Sequence, residues 1–189
     1  MNRAPVIKRL DGTLTPLGFK RQNRTWNRKS GPYIDVIDVQ VSKAGDALTV
    51  NAGVLHPAAY KGLWGETPAV FVDEPSCTVR ARIGELVGDK DIWWSGSNEK
   101  DAEEITQAVA VHGLEFLERM HAPEAMETFL EAADVRRRTY PPPIIYLAIL
   151  RDELGDHVGA CSVLTELRQN TSGSWQAKID GVLERLGCS

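Results

Sequence analysis

Between Tyr33 and Val54 the chain carries two strand-like runs joined by one short turn, and this pair limits the possible folds more than any other segment. Tyr33 to Val41 is apolar on both parities, with Ile34 and Val36 on one and Ile37, Val39 and Val41 on the other. That pattern predicts a central strand, with room for a bulge. Leu48, Val50, Ala52 and Val54 then alternate with Thr49, Asn51 and Gly53, the period of a half-buried strand. The short Ala44-Gly45-Asp46 turn favours an antiparallel pairing of the two strands.

The flanks extend this meander. Val6, Leu10, Leu14 and Leu17 recur at helical spacing, and Gly18 is a natural stop. A basic strand starts at Phe19. Gln22-Asn23 could fold it into a hairpin or let it run on to Arg28, before the Ser30-Gly31-Pro32 turn. Residues 56–75 read as a loop with a short helical turn near Ala58–Leu63. Cys77, Val79, Ala81 and Ile83 alternate with Thr78, Arg80 and Arg82, which predicts a fourth strand. Asp91 to Trp94 reads as a fifth, short edge strand.

The period changes from 2 to 3.6 after residue 98. Asn98 is a suitable helix cap, and Ile105, Val109, His112 and Phe116 fall on one helical face. Pro123 opens a helix with Met126, Phe129, Leu130 and Ala133 inward. The Pro141-Pro142-Pro143 run starts another, and Val158–Leu167 and Trp175–Leu186 mark two more. Strands first and helices last define an α+β class. The expected architecture is an antiparallel meander of four to five strands with an N-terminal helix, then an all-helical extension of about five helices. The expected division is an α+β domain over 1–120 and a helical extension over 121–189, packed on the same domain.

Charge and cysteine usage bear on environment. The apolar fraction of 42% excludes a mostly disordered chain. Residues 1–43 hold nine Lys/Arg against three Asp/Glu, whereas the rest hold thirteen against twenty-three. A basic front on an acidic body suggests intramolecular pairing or a face for an anionic partner, with a solvated basic surface as the equal alternative. Cys77, Cys161 and Cys188 are odd in number and widely spaced, which favours free thiols in a reducing compartment. Cys77 reads as a buried small hydrophobe on its strand and Cys161 as part of a helix core. No apolar run approaches the ~20 residues of a membrane span, and no signal peptide is evident, so a cytoplasmic location is expected.

No phosphate loop, nucleophile elbow or HExxH motif occurs. His56, His112, His121 and His157 are scattered, and their spacing promises no metal centre. No catalytic residue, metal or cofactor is therefore expected. The residues that can converge are on the sheet. Arg24, Trp26 and Arg28 share one parity, Arg80 and Arg82 another, and Thr49 and Asn51 a third. Some of these could form a cationic face with an aromatic on it, since Arg and Trp are enriched where partners bind. The alternative is that Trp26 enters the core and the arginines pair with Asp35, Asp38 or the acidic helices. Trp93 and Trp94 are a second candidate for binding. Of the two tryptophans, adjacent strand positions send one inward and leave the other outside.

Several of these segments occur in a recognisable order. They are Leu17-Gly18-Phe19-Lys20-Arg21, Arg24-Thr25-Trp26, Val36-Ile37-Asp38-Val39-Gln40, Thr49-Val50-Asn51-Ala52-Gly53-Val54, Cys77-Thr78-Val79-Arg80-Ala81-Arg82-Ile83-Gly84 and Asp91-Ile92-Trp93-Trp94. Together they resemble the bacterial domain of unknown function 4304 family over roughly residues 4–120. The resemblance implies an α+β bacterial cytosolic domain and carries over no catalytic residue. The expected function is non-enzymatic protein binding, one form of which is an immunity-type protein that neutralises a toxin. Two alternatives stay open: a nucleic-acid or phosphorylated-ligand binder using the basic sheet face, and a hydrolase whose site the fold assembles from distant residues.

Overall fold

A computed structural model of the chain describes residues 3–88, 91–132 and 140–188. The chain divides into two compact units, one formed by residues up to Leu55 with Ala69–Arg119, the other by His56–Pro68 with the segment from Met120 onward.

The first unit is built on a five-stranded antiparallel meander in sequence order: β1 (Lys20–Gln22), β2 (Thr25–Ser30), β3 (Tyr33–Val41), β4 (Leu48–Leu55) and β5 (Val79–Arg82). The basic segment turns at Asn23, whose φ of 55° lies in the left-handed region that asparagine tolerates. That hairpin supplies the fifth strand. The predicted edge strand at Asp91–Trp94 is instead one bridge, Leu48 to Trp94, closed by two backbone hydrogen bonds of 2.8 and 2.9 Å. β3 pairs with β4 without a bulge, from Ile34 opposite Leu55 to Val41 opposite Leu48.

Helices cover one sheet face. α1 (Ala4–Leu14) packs on α4 (Glu99–Ala108), which Asn98 caps by accepting from the Asp101 amide at 2.8 Å. α4 passes through a π-helical turn, Val109–Gly113, into α5 (Leu114–Arg119). The wide turn adds a residue to the period. Gly113, not His112, therefore occupies the inward position, between Val109 and Phe116. A Cβ at Gly113 would stand 2.9 Å from Ile83 Cδ1, just past the end of β5, and 3.9 Å from Ile37 Cδ1 of β3, so the missing side chain is what lets the helix pack this closely there. The predicted fourth strand is shorter than expected, because α3 (Ile83–Gly88) begins at its last apolar residue.

Every residue of β4 is buried, including Thr49 and Asn51, although alternation predicted a half-buried strand. The cause is the 69–78 segment, which crosses the second face. Asn27 donates to the Val72 carbonyl (3.0 Å) and accepts from its amide (2.6 Å), and Cys77 lies over Gly53. A Cβ on Gly53 would meet Cys77 Sγ at 2.8 Å and the Val79 carbonyl at 3.3 Å. Gly53→Ala is expected to cost about 1–3 kcal/mol by overpacking. Cys77→Gly should offset part of that loss. A double-mutant cycle in urea that returns simple additivity would show that the two positions do not press on each other.

The second unit is helical: α2 (Pro57–Trp64), α6 (Pro123–Glu131), α7 (Pro142–Glu153), α8 (His157–Gln169) and α9 (Ser174–Leu186). α7 is buried on nearly every side, as a helix apolar all round must be. Trp64 on α2 donates to Tyr146 Oη at 3.1 Å and meets the Trp175 ring edge-on at 5.9 Å, while Arg185 Nε donates to the Gly62 carbonyl at 3.0 Å. Those contacts place 56–68 with the late helices, although sequence order assigned it to the first domain. Met126 and Leu130 of α6 are buried and Phe129 is half-buried; Ala133, expected to point inward, lies outside the described residues.

Candidate functional site

Register decides which sheet residues can act together. Trp26 stands opposite Ile37, Ile37 opposite Ala52, and Ala52 opposite Ala81. Arg28, opposite Asp35, shares that face. Asn51 stands opposite Arg82, and Gly53 opposite Arg80, on the other face. The expected common surface of Arg24, Trp26, Arg28, Asn51, Arg80 and Arg82 is therefore split by the sheet. One slipped residue in the assumed pairing exchanges the faces.

On the helix-covered face, Trp26 is wholly buried and its Nε1 donates to Asp11 Oδ1 of α1 at 2.8 Å. Trp94 is also buried, and its Nε1 donates to Glu104 Oε1 of α4 at 3.0 Å. Neither indole is available to a partner. The Arg28 guanidinium lies 4.7 Å over the Phe19 ring and pairs with buried Asp35 and exposed Glu118, each at 2.7 Å. Burial works to lower the Arg28 pKa, but the hydrogen bonds and charges of Asp35 and Glu118 outweigh it, and the net shift is upward.

The other face is polar. Asn51 Nδ2 donates to Gln40 Oε1 at 3.1 Å. Arg80 pairs with Glu74 at 3.1 Å. Arg82 pairs with Asp91 at 2.6 Å and lies 5.4 Å over the half-buried Trp93 ring. Arg24 is exposed in the β1–β2 turn and attracts the Asp38 carboxylate. Burial raises the pKa of both Asp38 and Glu74, helped by the charge of Asp73 at Asp38 and by that of Asp38 at Glu74. Arg28, Arg80 and Arg82 thus each have a carboxylate of their own unit. Cys77 matches its reading as a buried hydrophobe, with burial pushing its thiol pKa well up.

A different site emerges at the π-helical turn. Val87 of α3 with Glu104, Gln107, Ala108, Val111 and His112 lines an open concavity of about 310 Å³. Val87 and Val111 are 45% and 46% exposed. The wide turn rotates His112 off the core face and into this lining. The surrounding segment 99–119 holds six Asp/Glu against two Lys/Arg. Sequence reasoning missed the site because a 3.6-residue period places His112 inside. The available signal was Val111, an apolar residue off the core stripe.

Cys161 and Cys188 correct another expectation. They are not free thiols: they form a disulfide with a Cα–Cα distance of 5.5 Å. Cys161 is half-buried at the helix surface rather than in its core, and His157 Nε2 lies 3.5 Å from its sulfur.

The sheet, its covering helices and the acidic concavity define an α+β domain of the antiparallel-meander class. The chain belongs to the family described as "Domain of unknown function (DUF4304)", whose model matches residues 10–119. No curated protein and no solved structure matches the chain. The matched span ends with the first unit at Arg119 and also takes in α2, whereas α6 to α9 lie beyond it. Among the described residues no helix is long and apolar enough to cross a membrane.

Proposed function

We propose that this chain is a non-enzymatic protein-binding module of the cytoplasm, and that its partner is a basic protein seated at the Val87–Val111 concavity. The observation that carries this reading is an exposed apolar hollow set in an acidic helix. One apolar side chain of a partner fits such a hollow, and basic groups around it would meet Glu104 and the exposed Glu103 and Glu115. An immunity-type role follows the same chemistry: an acidic protein that covers a basic toxin. The carboxylates already facing Arg28, Arg80 and Arg82 weaken the alternative of a phosphate-reading surface.

The test uses immobilised full-length chain as wild type, Val111→Arg, and Arg80→Ala with Arg82→Ala. Val111 is exposed, so its replacement should leave the fold intact. A basic protein from the source cell's extract should bind the wild type and the double arginine variant. Once purified, it should bind Val111→Arg at least about tenfold more weakly, or 1.4 kcal/mol. Equal binding to Val111→Arg would overturn the assignment of the site. Salt-sensitive binding of single-stranded RNA, lost in the double arginine variant, would favour the nucleic-acid reading instead.

A further inference from the structure

The helical unit assembles a group of ligands that sequence spacing did not promise. His157 and Cys161 lie four residues apart on α8 and so share a helix face. α9 brings Cys188, just beyond its C-terminal Gly187, to the same spot. The ligand atoms of His157, Cys161 and Cys188 all lie within 4.8 Å of one another. A fourth residue orients the histidine: Asp152, in the last turn of α7, lies 2.7 Å from His157 Nδ1. In the tautomer that carries its hydrogen on Nδ1, the ring donates a hydrogen bond to Asp152 and keeps its lone pair on Nε2, the nitrogen that faces Cys161. A carboxylate behind an imidazole is the usual support of a metal-binding histidine.

We propose that His157, Cys161 and Cys188 form a redox-gated site for Zn²⁺, closed by the Cys161–Cys188 disulfide and opened by a dithiol reductant. In the opening step the dithiol supplies two electrons and two protons. The Sγ–Sγ bond breaks, two cysteine thiols form, and the dithiol becomes a disulfide. Zn²⁺ then displaces the two thiol protons to solvent and is held by two thiolates and Nε2.

The distances support this occupant. Tetrahedral Zn²⁺ with bonds of about 2.3 Å to sulfur and 2.0–2.1 Å to nitrogen sets a nitrogen–sulfur separation of about 3.6 Å. His157 Nε2 and Cys161 Sγ already stand 3.5 Å apart. The two sulfurs must part to about 3.8 Å, and Cys188 Sγ, within 4.8 Å of the histidine, must settle about 3.6 Å from Nε2. Three protein ligands leave the fourth position to water or to a donor from a partner. Two thiolates and an imidazole also suit Zn²⁺ far better than Mg²⁺ or Ca²⁺, which take oxygen ligands. In either state α8 stays tied to the end of α9, by a covalent bond under oxidising conditions and by a metal under reducing ones.

The experiment uses full-length chain, reduced with dithiothreitol and then freed of it under anaerobic conditions. Zn²⁺ is titrated in competition with a chromophoric chelator, and Co²⁺ serves as an optical stand-in. The reduced wild type should take up one Zn²⁺ per chain and show thiolate-to-cobalt charge-transfer absorption; the oxidised chain should do neither. Cys161→Ser and Cys188→Ser should each abolish the charge-transfer band or weaken it with at least tenfold lower affinity. Cys77→Ser should change nothing. His157→Gln, at an exposed position where folding is not at stake, should lower affinity at least tenfold, and Asp152→Asn by about tenfold. Equal uptake by the oxidised and reduced chains, or His157→Gln binding as tightly as wild type, would overturn the proposal.

Discussion

Trp26→Ala is expected to remove about 3–5 kcal/mol from the sheet unit, the range for an aromatic lost from a packed core. Trp26 is among the largest fully buried side chains described, and it joins β2 to α1 through the bond from its indole to Asp11. Alanine removes the ring's contacts and also the donor that faces Asp11. Trp26→Phe separates the two contributions. It keeps most of the volume and loses the hydrogen bond, so a cost of about 1–2 kcal/mol is expected. Because the chain has two units, unfolding need not be two-state. Hydrogen exchange of the β2 and β3 amides in native conditions reports the sheet unit by itself. Unchanged protection in Trp26→Ala would mean that the indole is not part of the core.

The residue is also a measure of what the sequence can tell. The parity of each strand was legible: Trp26 with Arg28, Arg80 with Arg82, Thr49 with Asn51. Relating one strand's parity to the next requires register, and register depends on turn geometry that a few residues do not specify. Pairing Trp26 with Ile37 rather than with a neighbour of Ile37 decides that the indole is core and that Arg80 and Arg82 lie behind it. The helix around His112 was misjudged for a related reason. Its apolar spacing was read at 3.6 residues, and the π-helical turn at Val109–Gly113 breaks that period where the concavity forms. The pairing of Cys161 with Cys188 was illegible from separation alone. It depends on α8 and α9 running antiparallel, a geometry that the Arg168–Asp180 ion pair also bridges. The four-residue step from His157 to Cys161, by contrast, stood in the sequence and needed only its third member.

Arg28→Met should be the most damaging loss of a cation on the basic hairpin, at about 3 kcal/mol, because it takes the guanidinium from a wholly buried carboxylate. The methionine keeps much of the stem's packing against Phe19, so the loss is chiefly electrostatic. Glu118, the other partner, is 60% exposed at its side chain. Water can solvate that carboxylate, so Glu118→Gln should cost no more than about 0.5 kcal/mol. The contrast follows from desolvation: the same guanidinium matters to Asp35 and hardly to Glu118. Asp35→Asn in the Arg28→Met background should therefore restore part of the lost stability, since an uncharged amide no longer needs the cation. Urea midpoints for the two single variants and the double variant give the coupling. If Arg28→Met proves no worse than Glu118→Gln, Asp35 is held by its remaining contacts and the basic hairpin has a purpose other than neutralising it.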